Sequence, residues 1–119
     1  IGTLLPLMLS EGVNKNKITI SQLVSLTSMN AAKIFGMYPT KGSLELNSDA
    51  DITLIDLKKE QKVTSELFGG FSDYIVYDGW KLKGWPVKTI VRGQTVAEDF
   101  QVIGKPGYGK LVSRKTNST

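Results

Sequence analysis

Thr27-Ser28-Met29-Asn30-Ala31-Ala32-Lys33-Ile34-Phe35-Gly36-Met37-Tyr38-Pro39 is the stretch on which the reading of this 119-residue chain turns. Asn30 can cap a short helix from Ala31 to Phe35, Gly36 can close it, and Pro39 blocks any continuation. Upstream of it the apolar residues Leu4, Leu5, Met8 and Leu9 recur three and four positions apart, which is the period of a helix, and Gly12 is placed to stop that helix as a left-handed terminator. Ser21 can cap a second helix carrying Leu23, Val24 and Leu26. Helices this short need a packing partner to be stable.

Downstream of Pro39 the period becomes two. Asp51-Ile52-Thr53-Leu54-Ile55-Asp56 reads as a strand. Val87-Lys88-Thr89-Ile90-Val91 and Thr95-Val96-Ala97 read as a hairpin across Arg92-Gly93-Gln94, with the glycine supplying a positive φ. Asn47 suits a turn that needs the left-handed region. Trp80, Leu82, Trp85 and Val87 alternate with polar residues and are expected to cover one sheet face. The expected fold class is α/β, with short helices followed by a β-rich segment.

A hydrophobic content of 40% and a charged content of 22% fit a folded domain, and the length sets one domain as the ceiling. No apolar run approaches the ~20 residues needed to cross a bilayer, and the first residues lack a secretory pattern. The absence of cysteine removes disulfides and thiolate metal sites, which suits a cytoplasmic location. Asn117-Ser118-Thr119 matches the glycosylation acceptor by chance. The net charge of +4 comes from lysines scattered along the chain, with only Lys110, Arg114 and Lys115 forming an end cluster. Neither a nucleic-acid nor a membrane partner is expected from that distribution.

The chain has no histidine, and its other polar groups offer little chemistry. Asp49, Asp51, Asp56 and Glu45 could suggest acid–base work or a hard-cation site, but a calcium loop counted from Asp49 fails at its sixth position, Leu54. The expectation is a turn entering a strand, with the aspartates bonding nearby backbone amides. Gly104-Lys105-Pro106-Gly107-Tyr108-Gly109-Lys110-Leu111 has the glycine–lysine spacing of a phosphate loop, yet it places leucine where serine or threonine must hold magnesium. Ser10, Ser21 and Ser65 lack a histidine to activate them. No catalytic and no metal-ligating residue is expected within this sequence.

Thr27 to Pro39 resembles the S-x-N-[AP]-A-K-[IL]-F-G-[LM]-Y-P segment of the cyclic amidohydrolases that include dihydropyrimidinases and hydantoinases. Lys41-Gly42-Ser43-Leu44 and Ser48-Asp49-Ala50-Asp51-Ile52 are similar to the family's K-G-x-[IL] and G-[SA]-D-A-D-[IVL], with Asn47 where glycine is usual. Leu4 to Val13 resembles the helix after the eighth barrel strand. Tyr77-Asp78-Gly79-Trp80, Lys83-Gly84-Trp85-Pro86 and Gly104-Lys105-Pro106-Gly107 resemble the end of the hydantoinase branch.

The resemblance implies the C-terminal fragment of a TIM barrel plus composite β-sandwich. Residues 1–38 would be the last barrel helices, 39–103 the sandwich segment and 104–119 a tail able to pack on a neighbouring subunit. For the parent protein it implies a cytoplasmic, homo-oligomeric hydrolase that opens the cyclic amide of dihydropyrimidines or hydantoins. Its two zinc ions would activate water and polarise the ring carbonyl, held by histidines, a carboxylated lysine and an aspartate outside this sequence. Asn30 matches the asparagine that helps hold the cyclic amide or ureide substrate, while Ser28 and Lys33 match the same motif without a distinctive role. The chain by itself is expected to be inactive and to self-associate through unpaired sheet edges. A non-catalytic dihydropyrimidinase-related scaffold and a freestanding interaction module are the alternative readings.

Overall fold

The computed structural model describes residues 2–69 and 73–114. Lys115 and the Asn117-Ser118-Thr119 pattern lie outside the described residues. Helix α1 spans Leu4–Leu7 and runs straight into a π-helical segment, Met8–Val13. Gly12 does not terminate this helix: the segment carries on to Val13, and the left-handed residue is Asn16, at φ 56. Lys17 N–H then donates to the Gly12 carbonyl at 2.9 Å, which closes the end. Asparagine tolerates that backbone region because its short polar side chain can bond locally.

The next helix is capped two residues before the expected position. Thr19, not Ser21, is the capping residue: Gln22 N–H donates to Thr19 Oγ1 at 3.1 Å and Thr19 N–H donates to Gln22 Oε1 at 2.8 Å. This reciprocal box satisfies two backbone and side-chain partners at once and so outcompetes a lone serine. From there the helix is continuous through α2, Ile20–Val24, a π-helical segment, Ser25–Met29, and α3, Asn30–Ile34. Asn30 is therefore not a cap. Met29 before it is helical, and Asn30 N–H already donates to the Ser25 carbonyl. Gly36 follows at φ 68 and ends the run, as the sequence suggests.

Four antiparallel strands complete the fold in the order β1-β2-β3-β4: β1 Ile52–Lys62, β2 Lys81–Val91, β3 Gln94–Glu98 and β4 Gln101–Val102. The β2–β3 hairpin turns at Arg92 and Gly93, at φ 45 and φ 80, and Asn47 sits at φ 73. Both turns match expectation. Strand β1 is longer than the Asp51–Asp56 run suggests. A register break between Asp56 and Glu60 interrupts its pairing, and Asp56 Oδ1 accepts from Lys58 N–H at 2.8 Å and Lys59 N–H at 3.1 Å across that bulge. The carboxylate supplies the acceptor that the ladder cannot, so the strand resumes instead of ending.

Val63, Leu82 and Trp85 form the core of the sheet side, with Phe68 and Phe100 packed on the indole. Trp85 Nε1 donates to the Leu82 carbonyl at 2.9 Å, so its polar atom is buried with a partner. Trp80 departs from the expected face: it is 49% exposed and meets Tyr77 edge-on at 5.3 Å. Leu82 and Trp85 are three positions apart yet both buried, because Gly84 between them adopts φ 101 and breaks the alternation. Helix α1 and the Met8–Val13 segment pack on β2. Strand β1 pairs only with β2, so its other edge has no strand beside it among the described residues.

Candidate functional site

A cleft of about 630 Å³ opens between the helices and β1. Leu5, Leu23 and Val24 supply apolar wall from the helical side, and Ile52 and Ile55 supply it from β1. Lys41, Asp49 and Asp51 form its polar end. The loop carrying Lys41 reaches the helix because Gly42, at φ 75, lies against it: a Cβ there would stand 2.6 Å from the Ala32 Cβ and 3.2 Å from the Ser28 carbonyl oxygen. No side chain fits that approach.

Lys41 Nζ lies 2.8 Å from Asp49 Oδ2 and is also ion-paired and hydrogen-bonded to Asp51 Oδ2. Hydrogen bonds from Lys41 to Asp49 and Asp51 raise the lysine's pKa above its ordinary value and keep it charged. Burial opposes the Asp51 carboxylate, but the Lys41 ammonium and the Arg92 backbone N–H, 2.8 Å from Asp51 Oδ1, together hold its pKa below the usual range. The expectation that the aspartates bond backbone amides holds for Asp51 in part. Sequence reading missed that Lys41 draws both carboxylates onto one ammonium. Their i, i+2 spacing, with a lysine ahead of the turn, was the available signal.

Asn30 is exposed on the first turn of α3 and does not line the cleft, although its neighbours Thr27 and Ser28 do. Lys33 Nζ lies 5.0 Å from the centre of the Tyr38 ring, so it is a partnered helix residue. The three serines are dispersed. Ser10 is buried and its Oγ accepts from Lys83 N–H at 3.1 Å, Ser21 is exposed on α2, and Ser65 begins a short 3-10 turn, Ser65–Phe68. Lys105 to Tyr108 forms a turn closed by Tyr108 N–H to the Lys105 carbonyl at 3.3 Å, with Gly107 at φ 80. Proline second and glycine third are the residues of a type II turn, which accounts for the apparent phosphate-loop spacing.

Among the described residues no group of three or more His, Cys, Asp or Glu side chains is placed to hold a metal ion. Asp49 and Asp51 both engage the Lys41 ammonium. The residues present do not fit a zinc centre. What the arrangement offers instead is an apolar surface ending in an ion-pair triad.

With the helices docked on an antiparallel sheet and Gly42 wedged against Ala32, residues 2–96 match the amidohydrolase family. The chain belongs to that family. It is 42% identical over 113 residues to the L-hydantoinase of Paenarthrobacter aurescens, covering 95% of this chain and 25% of the relative. It is 40% identical over 108 residues to the D-hydantoinase of Geobacillus stearothermophilus, covering 91% of this chain and 23% of that enzyme. The crystal structure of dihydropyrimidinase from Brevibacillus agri NCHU1002 superimposes with a TM-score of 0.89 at 37% identity, over 94% of this chain and 24% of that one. The chain thus spans about a quarter of the length of the relatives it matches.

Proposed function

We propose that this chain is the C-terminal structural quarter of a metal-dependent cyclic amidohydrolase that opens the ring amide of hydantoins or dihydropyrimidines. The observation that carries the reading is its 42% and 40% identity to an L-hydantoinase and a D-hydantoinase over nearly its whole length. In this reading residues 1–38 end a TIM barrel, 39–103 belong to a composite β-sandwich and 104–119 form the tail. The cleft and the open edge of β1 then face the rest of the parent protein. On the same reading the two zinc ions and their ligands would lie in that remainder, since both carboxylates of the triad engage Lys41. Asn30 would approach the substrate at the barrel rim; this role rests on the Thr27–Pro39 motif. Among the described residues no helix is long and apolar enough to cross a membrane, and Lys15, Lys41, Lys59, Lys81 and Lys88 each pair with a carboxylate, so no continuous basic face is formed by them. In this reading the parent protein is a cytoplasmic homo-oligomer acting on a small cyclic amide or ureide, and that part rests on the family resemblance.

The test is turnover of hydantoin and dihydrouracil by the full-length protein with zinc supplied, compared with the 119-residue chain. Ring opening by the former and none by the latter is expected. Turnover by the chain alone would overturn the supporting role assigned to it. Failure of the full-length protein on every cyclic amide, with its fold intact, would favour the non-catalytic scaffold instead.

A further inference from the structure

Arg92 holds a backbone conformation that bulky side chains rarely adopt, φ 45, at the first position of a hairpin turn suited to asparagine or glycine. Its side chain reaches outward to the tail. The guanidinium lies 4.3 Å from the centre of the Tyr108 ring, and Nη2 donates to the Tyr108 carbonyl. Tyr108 closes the contact from its other end, its hydroxyl donating to the Val91 carbonyl at 2.9 Å. The turn from Lys105 to Tyr108 presents the ring at this place. On the opposite side of the hairpin, Arg92 N–H donates to Asp51 Oδ1 at 2.8 Å and Gly93 N–H donates to the Ala50 carbonyl at 2.9 Å. Asp51 is shared with Lys41 at the polar end of the cleft.

We propose that Arg92 is a two-sided clamp: Asp51 fixes its backbone and Tyr108 engages its side chain, so the seating of residues 104–114 is coupled to the polar end of the cleft. The coupling follows from geometry. Loss of the Asp51 acceptor frees the turn that aims the guanidinium, and loss of the guanidinium leaves the Tyr108 carbonyl and ring face without their cation. Whatever packs against Lys41 and Asp51 therefore also sets how firmly the tail is held. The inference concerns this chain's own contacts and stands whether or not the full-length protein hydrolyses a cyclic amide.

The experiment is timed trypsin digestion of the full-length protein, following cleavage after Lys110 by mass; Lys105 is followed by Pro106 and does not interfere. Arg92→Asn, which suits the turn, and Tyr108→Ala should each accelerate that cleavage about tenfold, and the double variant should be no faster than the faster single one. Asp51→Ala should accelerate it about threefold in the wild-type background and not at all in the Tyr108→Ala background. Unchanged cleavage in Tyr108→Ala, multiplying effects in the double variant, or an Asp51→Ala effect that persists without Tyr108 would each overturn the clamp. Should Arg92→Asn loosen the hairpin, seen as faster amide exchange at Val91 and Thr95, the Tyr108 and Asp51 arms decide by themselves.

Discussion

Asn14 and Lys83 lie 69 positions apart in the chain, and the Asn14 side-chain amide donates to the Lys83 carbonyl at 2.7 Å. Four residues earlier on the same helical segment, Ser10 Oγ accepts the Lys83 N–H at 3.1 Å. The two side chains thus take the hydrogen bonds that a neighbouring strand would take from β2 at that position. Strand β3 reaches only Lys88 and beyond, so without them both backbone groups would face the helix unpaired. Asn14 Nδ2 also lies 3.3 Å from the Leu57 carbonyl in the β1 bulge, which ties helix, β2 and β1 at one atom.

Replacing Asn14 by alanine should therefore cost about 1 kcal/mol, because it removes the donor shared by the Lys83 and Leu57 carbonyls at a site that water can reach. Ser10→Ala should cost about 1 kcal/mol, and the double variant should lose less than the sum, since both side chains serve one docking. Chemical unfolding of the full-length protein gives all three values. Additive losses would show that helix and strand are held independently.

Gly84 stands at the same junction, with φ 101 and space for no Cβ: one built there would lie 2.8 Å from the Leu9 Cβ and 3.1 Å from Asn14 Nδ2. Gly84→Ala combines backbone strain with overpacking against a fully buried leucine and should destabilise by about 3 kcal/mol or more. Gly109 has nothing within 4 Å of its Cβ position, so Gly109→Ala serves as the control and should stay within about 0.5 kcal/mol. Thermal melts of the two variants side by side make the comparison. A tolerated Gly84→Ala would mean that the helix can lift from β2 without loss.

What sequence reading could and could not reach follows from the range of the interactions. The β2–β3 hairpin, the Asn47 turn and the closing of the helix at Gly36 depend on local backbone preferences, so the residues themselves announce them. The Thr19 cap was equally local, and the glutamine three residues later was its signal. Asn30 misled because a good capping side chain is also tolerated inside a helix whose backbone bonds are already made. Gly84 and Gly42 could be read only as turn residues, since what they approach, Leu9 and Ala32, lies far along the chain. The Lys41 triad and the Ser10–Asn14 docking were hidden for the same reason: polar side chains that bond across long separations carry no periodicity.

The Lys41–Asp49–Asp51 triad gives the fold a pH dependence whose sign can be worked out. Asp51 has a folded-state pKa below its ordinary 3.8, so its contribution is complete above that value and is lost as pH falls through the depressed one. Lys41 has a raised pKa, so its contribution is complete below the ordinary 10.5 and is lost as pH rises through the higher folded value. Asp51→Asn should therefore be less stable than wild type across the neutral range, with the gap closing below pH 3.8. Urea midpoints at neutral and strongly acid pH check this. A gap that persists in acid would assign the loss to geometry and not to charge.

The open edge of β1 bears on whether this chain can stand by itself. Its pairing groups on the side away from β2 have no strand beside them among the described residues, and Leu54 and Leu57 on β1 are 45% and 41% exposed. Leu44, Leu46 and Leu111 are more exposed still. A strand whose first half is apolar and whose edge is free pairs readily with a second copy, and the largely apolar cleft beside it adds to the surface available for association. The isolated 119-residue chain should accordingly self-associate at micromolar concentration in light scattering, and co-expression with the rest of the parent protein should suppress this. Leu54→Lys places a charge on the exposed strand and should reduce the association without lowering the melting temperature. A monomeric chain that melts cooperatively would instead identify a freestanding module, with the cleft and edge closed by its own residues.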